Sequence, residues 1–170
     1  MKFILYCLLV LSAATVALNG CKPGCKDVTC LNGGECEAGG TCKCVDRWGG
    51  PYCDSLCAQG YEGTNCNIPS RNKFIRAWNA TTTSAATGTK QHTLFVTNGP
   101  IVPQIILTNF NDDHFTVVGT ITGPNRFEIY SQNATGSYNG LVTGSGYLNG
   151  DNLAVNLTKD GVDYFANCNR

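Results

Sequence analysis

Nine of the eleven cysteines fall between Cys21 and Cys66; Cys7 precedes them and only Cys168 follows. In an exported chain so dense a cluster is a disulfide framework, and it constrains the fold more than any other feature. The segment holds few apolar residues, chiefly Val28, Leu31, Val45, Trp48, Tyr52, Leu56 and Tyr61. That is too little to bury a core unaided. Each bridge contributes about 2–4 kcal/mol, so covalent staples replace the missing core. A zinc site is the rival reading; it fails because no histidine lies nearby and the compartment is oxidising.

Export itself is read from the N-terminus. Met1-Lys2 is followed by an apolar run from Phe3 to Leu18. One positive charge ahead of such a run is the anatomy of a secretory signal. A transmembrane helix needs about 20 apolar residues, and Asn19-Gly20 closes this run early. Residues 1–20 are therefore expected to leave as a signal peptide, taking Cys7 with them. Leu18-Asn19-Gly20-Cys21 resembles the bacterial lipobox, with Leu three residues before the Cys and a small residue just before it. The resemblance implies cleavage before Cys21, a diacylglycerol on its thiol, further acylation that palmitate would report, and a lipidated tether over residues 21–24. The alternative is an ordinary signal peptide, with Cys21 as one more disulfide partner.

Within the cluster, Leu31-Asn32-Gly33-Gly34-Glu35-Cys36 is followed by Cys42-Lys43-Cys44 and then Trp48-Gly49-Gly50-Pro51-Tyr52-Cys53. These strings resemble an EGF-like domain over residues 25–53. The resemblance implies the pairs Cys25–Cys36, Cys30–Cys42 and Cys44–Cys53, whereas the sequence alone permits many pairings. Cys57 to Cys66 repeats the spacing of Cys44 to Cys53, with Tyr61 matching Trp48 and Gly63 matching Gly50. Residues 54–66 thus resemble the last hairpin of a second, partial EGF-like unit, which implies a Cys57–Cys66 pair. Calcium-binding EGF-like domains have an acidic or amide residue just before the first Cys; here Lys22, Pro23 and Gly24 precede Cys25. No converging set of oxygen ligands is seen, so neither a metal nor a cofactor is expected. Four local bridges leave Cys168 as the odd thiol; without lipidation, Cys21 and Cys168 become the natural fifth pair.

After a linker expected at 67–72, residues 73–170 alternate with strand period. Leu94 and Val96 share a face opposite Thr93, Phe95 and Thr97. Phe115, Val117, Gly119 and Ile121, then Phe127 and Ile129, then Leu153, Val155 and Leu157 behave alike. One buried and one wet face per strand is the pattern of antiparallel sheets. Hairpin signals stand at Asn98-Gly99-Pro100, Gly123-Pro124-Asn125, Asn149-Gly150-Asp151 and Asp160-Gly161. Eight strands are expected near 73–81, 91–97, 102–109, 114–122, 125–132, 139–148, 151–158 and 161–167. Short loops imply meander order, and closure into an up-and-down barrel removes sticky edges; a β-sandwich is the alternative. Strands this short imply an interior mostly filled by side chains. The opening Phe74-Ile75-Arg76-Ala77-Trp78 is faintly similar to the first strand of lipocalin-like barrels, with Arg76 where those prefer Gly.

Catalytic signals are sparse. His92 reads as an exposed strand residue. Asp112-Asp113-His114 reads as a turn between strands, since adjacent strand residues point to opposite faces and converge poorly. Arg126 and Glu128 share a face and pair across solvent. Three Asn-x-Thr triplets, at Asn79, Asn133 and Asn156, match glycosylation sequons. The formal net charge is zero, which argues against nucleic acid as a partner.

The layout as a whole resembles small lipoproteins of Bacteroidota, in which EGF-like units precede a β-domain. The resemblance implies a cell-envelope location, with the outer membrane reached through the lipid. The expected function is non-catalytic: a binding, scaffold or accessory module with a protein or glycan partner, and Trp48, Tyr52 and Tyr61 as possible contacts. The alternatives are a lipocalin-like carrier of a small apolar ligand and a eukaryotic secreted EGF-like adhesion protein.

Overall fold

The computed structural model describes residues 24–45 and 47–170. Six short strands come first: β1 (Glu35–Glu37), β2 (Thr41–Lys43), β3 (Trp48–Gly49), β4 (Ser55–Leu56), β5 (Tyr61–Glu62) and β6 (Ile68–Pro69). They pair as three antiparallel hairpins. Four bridges, Cys25–Cys36, Cys30–Cys42, Cys44–Cys53 and Cys57–Cys66, staple them. The sulfurs act as the core of this module. A Cβ on Gly49 would overlap the Cys66 sulfur, and one on Gly34 would overlap that of Cys53. The backbone can lie against the bridges only because these positions lack side chains.

The spacing repeat is also a structural repeat. Trp48 donates its N–H to the Val45 carbonyl at 3.2 Å, and Tyr61 donates to Ala58 at 3.0 Å. Cys53 donates to Gly50 at 3.2 Å, and Cys66 donates to Gly63 at 2.9 Å. Gly50 and Gly63 sit at φ +86° and +85°, a conformation that explains glycine at the same offset in both turns.

The rest of the chain is a closed barrel. Its strands are β7 (Arg76–Ser84), β8 (Gly88–Asn98), β9 (Gln104–Thr108), β10 (Phe115–Gly123), β11 (Arg126–Asn133), β13 (Leu141–Asn149), β14 (Asn152–Lys159) and β15 (Val162–Asn169). The short β12 (Thr135–Gly136) adds to β10. Each strand pairs antiparallel with the next, and β15 returns to β7. This is an eight-stranded up-and-down barrel, and closure leaves no free edge among the eight. Inward residues include Trp78, Leu94, Ile105, Phe115, Phe127 and Leu153, all buried. Phe127 fits because Gly119 and Gly146 stand on the two strands beside it: a Cβ on Gly146 would overlap its ring, and one on Gly119 would come within 2.9 Å. Large and small residues interlock in this way inside small barrels.

The first strand begins at Arg76 rather than 73. Ser70–Lys73 instead wind into a 3-10 turn that carries Phe74 into the barrel end. Phe74 packs edge-on to Phe127 at 5.5 Å, and the Trp78 indole donates to the Phe74 carbonyl at 2.9 Å. The segment 67–72 is not a bare linker. Ile68–Pro69 is β6, and Ser70 donates its N–H to Gly60 at 2.8 Å. Arg71 donates to the Gly99 and Ile101 carbonyls at 3.0 and 2.8 Å. Lys73 pairs with Glu62 at 2.7 Å and donates to the Pro124 carbonyl at 3.0 Å. Gln59 donates to Ile121 at 3.2 Å. The stapled module is thereby docked on one end of the barrel.

Gly60 lies against Pro103 in that contact. It has φ +87°, and a Cβ there would lie 2.9 Å from Pro103 Cα. Gly60→Ala should lower stability by about 1–3 kcal/mol in urea unfolding, from the conformation and the clash together. Gly88→Ala, at φ +68° with open space around it, should cost about 1 kcal/mol.

Candidate functional site

Trp48 and Tyr61 are half-buried on β3 and β5, across from Leu56 and Pro69, whereas Tyr52 is exposed. Ring–ring contacts among the described residues all lie in the barrel, so these three do not form one aromatic cluster. Cys21 lies outside the described residues. Arg126 and Glu128 stand 3.7 Å apart on β11. Among the described residues no group of His, Cys, Asp or Glu is placed to hold a metal ion.

The end of the barrel away from the module is closed by residues 109–114. Asn109, Asn111, Asp112 and His114 all have φ between +51° and +62°. Short polar side chains tolerate this left-handed region better than others, but four in six residues is a concentration of strain. The turn drives Phe110 and Asn111 into the interior, each about 1% exposed. Asn111 donates its N–H to His92 Nε2 at 3.0 Å, and the Asn109 amide donates to the Thr93 carbonyl at 2.8 Å. Asp113 pairs with Lys159 at 2.8 Å, and the ammonium of Lys159 lies 4.2 Å from the Tyr138 ring centre. Ser137 donates to the Asp113 carbonyl, and Tyr138 donates to Asp160. That last bond, to a carboxylate, pushes the Tyr138 phenol up to about 12.

Beneath this plug sit Thr82 Oγ1 and both polar atoms of the Asn111 side chain, buried and without a hydrogen-bond partner among the described residues. Phe110, Asn111, Phe115, Leu157, Lys159 and Tyr164 bound a narrow gap nearby that has no volume open to a water-sized molecule. Small-molecule sites occupy roughly 300–1,000 Å³, so the gap does not suit a carried ligand.

His92 is therefore not an exposed strand residue. It lies two and four residues before Leu94 and Val96, on the same inward face, and that parity was the available signal. Burial of the ring pushes its pKa below the ordinary 6.5, against the pull of Asp112, of the Lys90 backbone and of Asp113, with the Lys90 ammonium adding a smaller push. As pH falls, the unfolded chain takes up this proton before the folded one does. The His92 contribution to stability is then complete above about pH 6.5 and lost as pH drops through the folded value. From about pH 7.5 to about pH 5 the melting temperature should fall further in the wild type than in His92→Gln.

Cys168 faces the barrel interior, 2% exposed and unbridged among the described residues. Burial pushes its thiol up to about 12, which removes the reactive thiolate. Maleimide should fail to label it in the native protein and should label it on denaturation without reductant. Labelling of the native barrel would place the thiol outside.

The outer wall differs in character. On β13, β14, β15, β7 and β8 the outward positions are mainly Asn, Thr, Ser and Gln, and Asp163 is the only charge among them. A depression of about 430 Å³ opens there, lined by Thr83, Ser145, Asn156, Thr158, Asp163 and Phe165 among others. Two further depressions lie in or beside the module: one of about 470 Å³ at its junction with the barrel and one of about 360 Å³ within it.

No family model, curated protein or solved structure matches this chain.

Proposed function

We propose that the protein is a non-catalytic binding module of the cell envelope, held at the membrane by lipid on Cys21. The observation that carries the binding reading is the barrel interior, filled by Phe74, Trp78, Phe110, Phe115 and Phe127. A barrel packed with its own side chains works through its outside. The carrier alternative loses support for the same reason, since the gap beneath the plug does not admit even a water-sized molecule. Support for a non-catalytic role comes from His92, whose Nε2 is committed to a backbone N–H, and from Asp113, which is committed to Lys159. Neither the His92 ring nor the Asp113 carboxylate is hydrogen-bonded to a serine, threonine or cysteine side chain among the described residues. The anchor rests on the sequence Leu18-Asn19-Gly20-Cys21 and the apolar run before it. Three acyl chains would hold the protein firmly, because two membrane signals already suffice.

Radiolabelled palmitate should enter the wild type and not Cys21→Ser; equal labelling of both removes the anchor. Binding is tested separately by affinity capture of the solubilised protein. A folded Trp48→Ala/Tyr61→Ala double variant should keep its captured partners, because both rings are half-buried in their own hairpins. Loss of the partners with the bridges intact would instead assign recognition to the module.

A further inference from the structure

We propose that the outer wall of β13, β14, β15, β7 and β8 binds an uncharged glycan, seated in the depression beside Phe165. This rests on the binding reading and names its ligand class. Register sets Ser145, Asn156, Phe165, Thr83 and Thr89 side by side on five neighbouring strands. A parallel line runs through Tyr147, Ala154, Asn167, Thr81 and Gln91. Adjacent strands are about 4.8 Å apart, a pitch comparable with one hexose unit.

The wall is polar but almost without charge. The chain has 12 basic and 12 acidic residues, yet only Asp163 reaches these outward positions. Its carboxylate already accepts a hydrogen bond from Thr158 at 2.7 Å. A merely solvated sheet face carries Lys and Glu of both signs. An anionic headgroup, a nucleic acid or a sulfated polymer would find no counter-charge here. A protein partner of ordinary size needs a contiguous apolar centre to its interface; here the exposed Phe165, Tyr147, Phe95 and Leu141 fall on different register lines, set among Asn and Thr.

A neutral sugar meets each of these conditions. Its hydroxyl groups both donate and accept, and so do the amides of Asn156 and Asn167 and the hydroxyls of Thr83 and Ser145. Phe165 and Tyr147 are 43% and 50% exposed, and a flat exposed ring suits the C–H face of a pyranose. The depression of about 430 Å³ falls within the range of small-ligand sites, roughly 300–1,000 Å³. It has room for a short stretch of chain, with neighbouring units lying along the wall.

The test uses the detergent-solubilised mature protein, fluorescently labelled, on an array of neutral hexose and N-acetylhexosamine oligosaccharides beside sialylated and sulfated ones. At least one neutral glycan should bind, and the acidic ones should not bind more strongly. Phe165→Ala and Asn156→Ala should each weaken that binding at least tenfold. Phe165→Tyr, which keeps the ring, should retain it, and so should Tyr130→Ala, at an exposed residue of β11. Binding to no neutral glycan, stronger binding to sulfated glycans, or full binding by Phe165→Ala overturns the proposal. If affinity capture still returns a specific protein partner in that event, the glycan is wrong and the binding reading stands. If capture also returns nothing, both fall.

Discussion

The pairing of β15 with β7 is the contact on which the rest of the structure depends. It joins Tyr164–Asn169 to Asn79–Ser84 and turns a meander of hairpins into a closed surface. Before it forms, two strands are edges and the aromatic interior is open on one side. After it forms, each of the eight strands has a paired neighbour on both sides, and where β10 and β11 part, the Gln132 side chain bonds both backbone groups of Val118. Closure also creates the two ends that the chain must then fill. Phe74 and the 3-10 turn fill one, and Phe110 with Asn111 fill the other. Pairing across so long a stretch of sequence must overcome loop-closure entropy before it is rewarded.

The two halves of the chain solve the same problem with different chemistry. The module has little apolar surface, and its backbone lies directly on sulfur at Gly34 and Gly49. The barrel has no bridge among its described residues and relies on packing, with glycines placed where a large ring must fit. The docking contact between them is mostly hydrogen bonds to backbone carbonyls, made by Gln59, Arg71 and Lys73. Such bonds fix orientation while adding modestly to stability.

Much of the barrel was legible because its alternation is regular. Leu94 and Val96, or Leu153, Val155 and Leu157, announce their buried face, and Asn149-Gly150-Asp151 and Asp160-Gly161 announce their turns. The strand ends were less legible. Thr82 and Ser84 extend β7 inward although neither is apolar, because a Thr-rich run suits a strand whatever its burial. Segment 67–72 carries no local strand signal for a related reason: Ile68–Pro69 is a two-residue strand defined by its partner at Tyr61–Glu62. The mouth was the least legible part. Its left-handed turn and the inward Asn111 depend on where β8 and β10 are held, which no local pattern encodes. The neutral wall was half visible: its Thr and Asn were plain in the sequence. That they form continuous lines across five strands follows only from the register.

The positions of the cysteines along the chain have a consequence for the order of events. All eight bridged cysteines lie before residue 67, and each bridge spans 9 to 12 residues. Cys168 sits on the last strand. In a chain that emerges N-terminus first, the eight can be oxidised in pairs while Cys168 has yet to appear. The barrel cannot close until β15 arrives, and when it does, the strand that closes the sheet also carries the leftover thiol inside. Vectorial emergence thus sorts the cysteines in time, and barrel closure then sorts them in space, so that disulfide shuffling finds no late competitor.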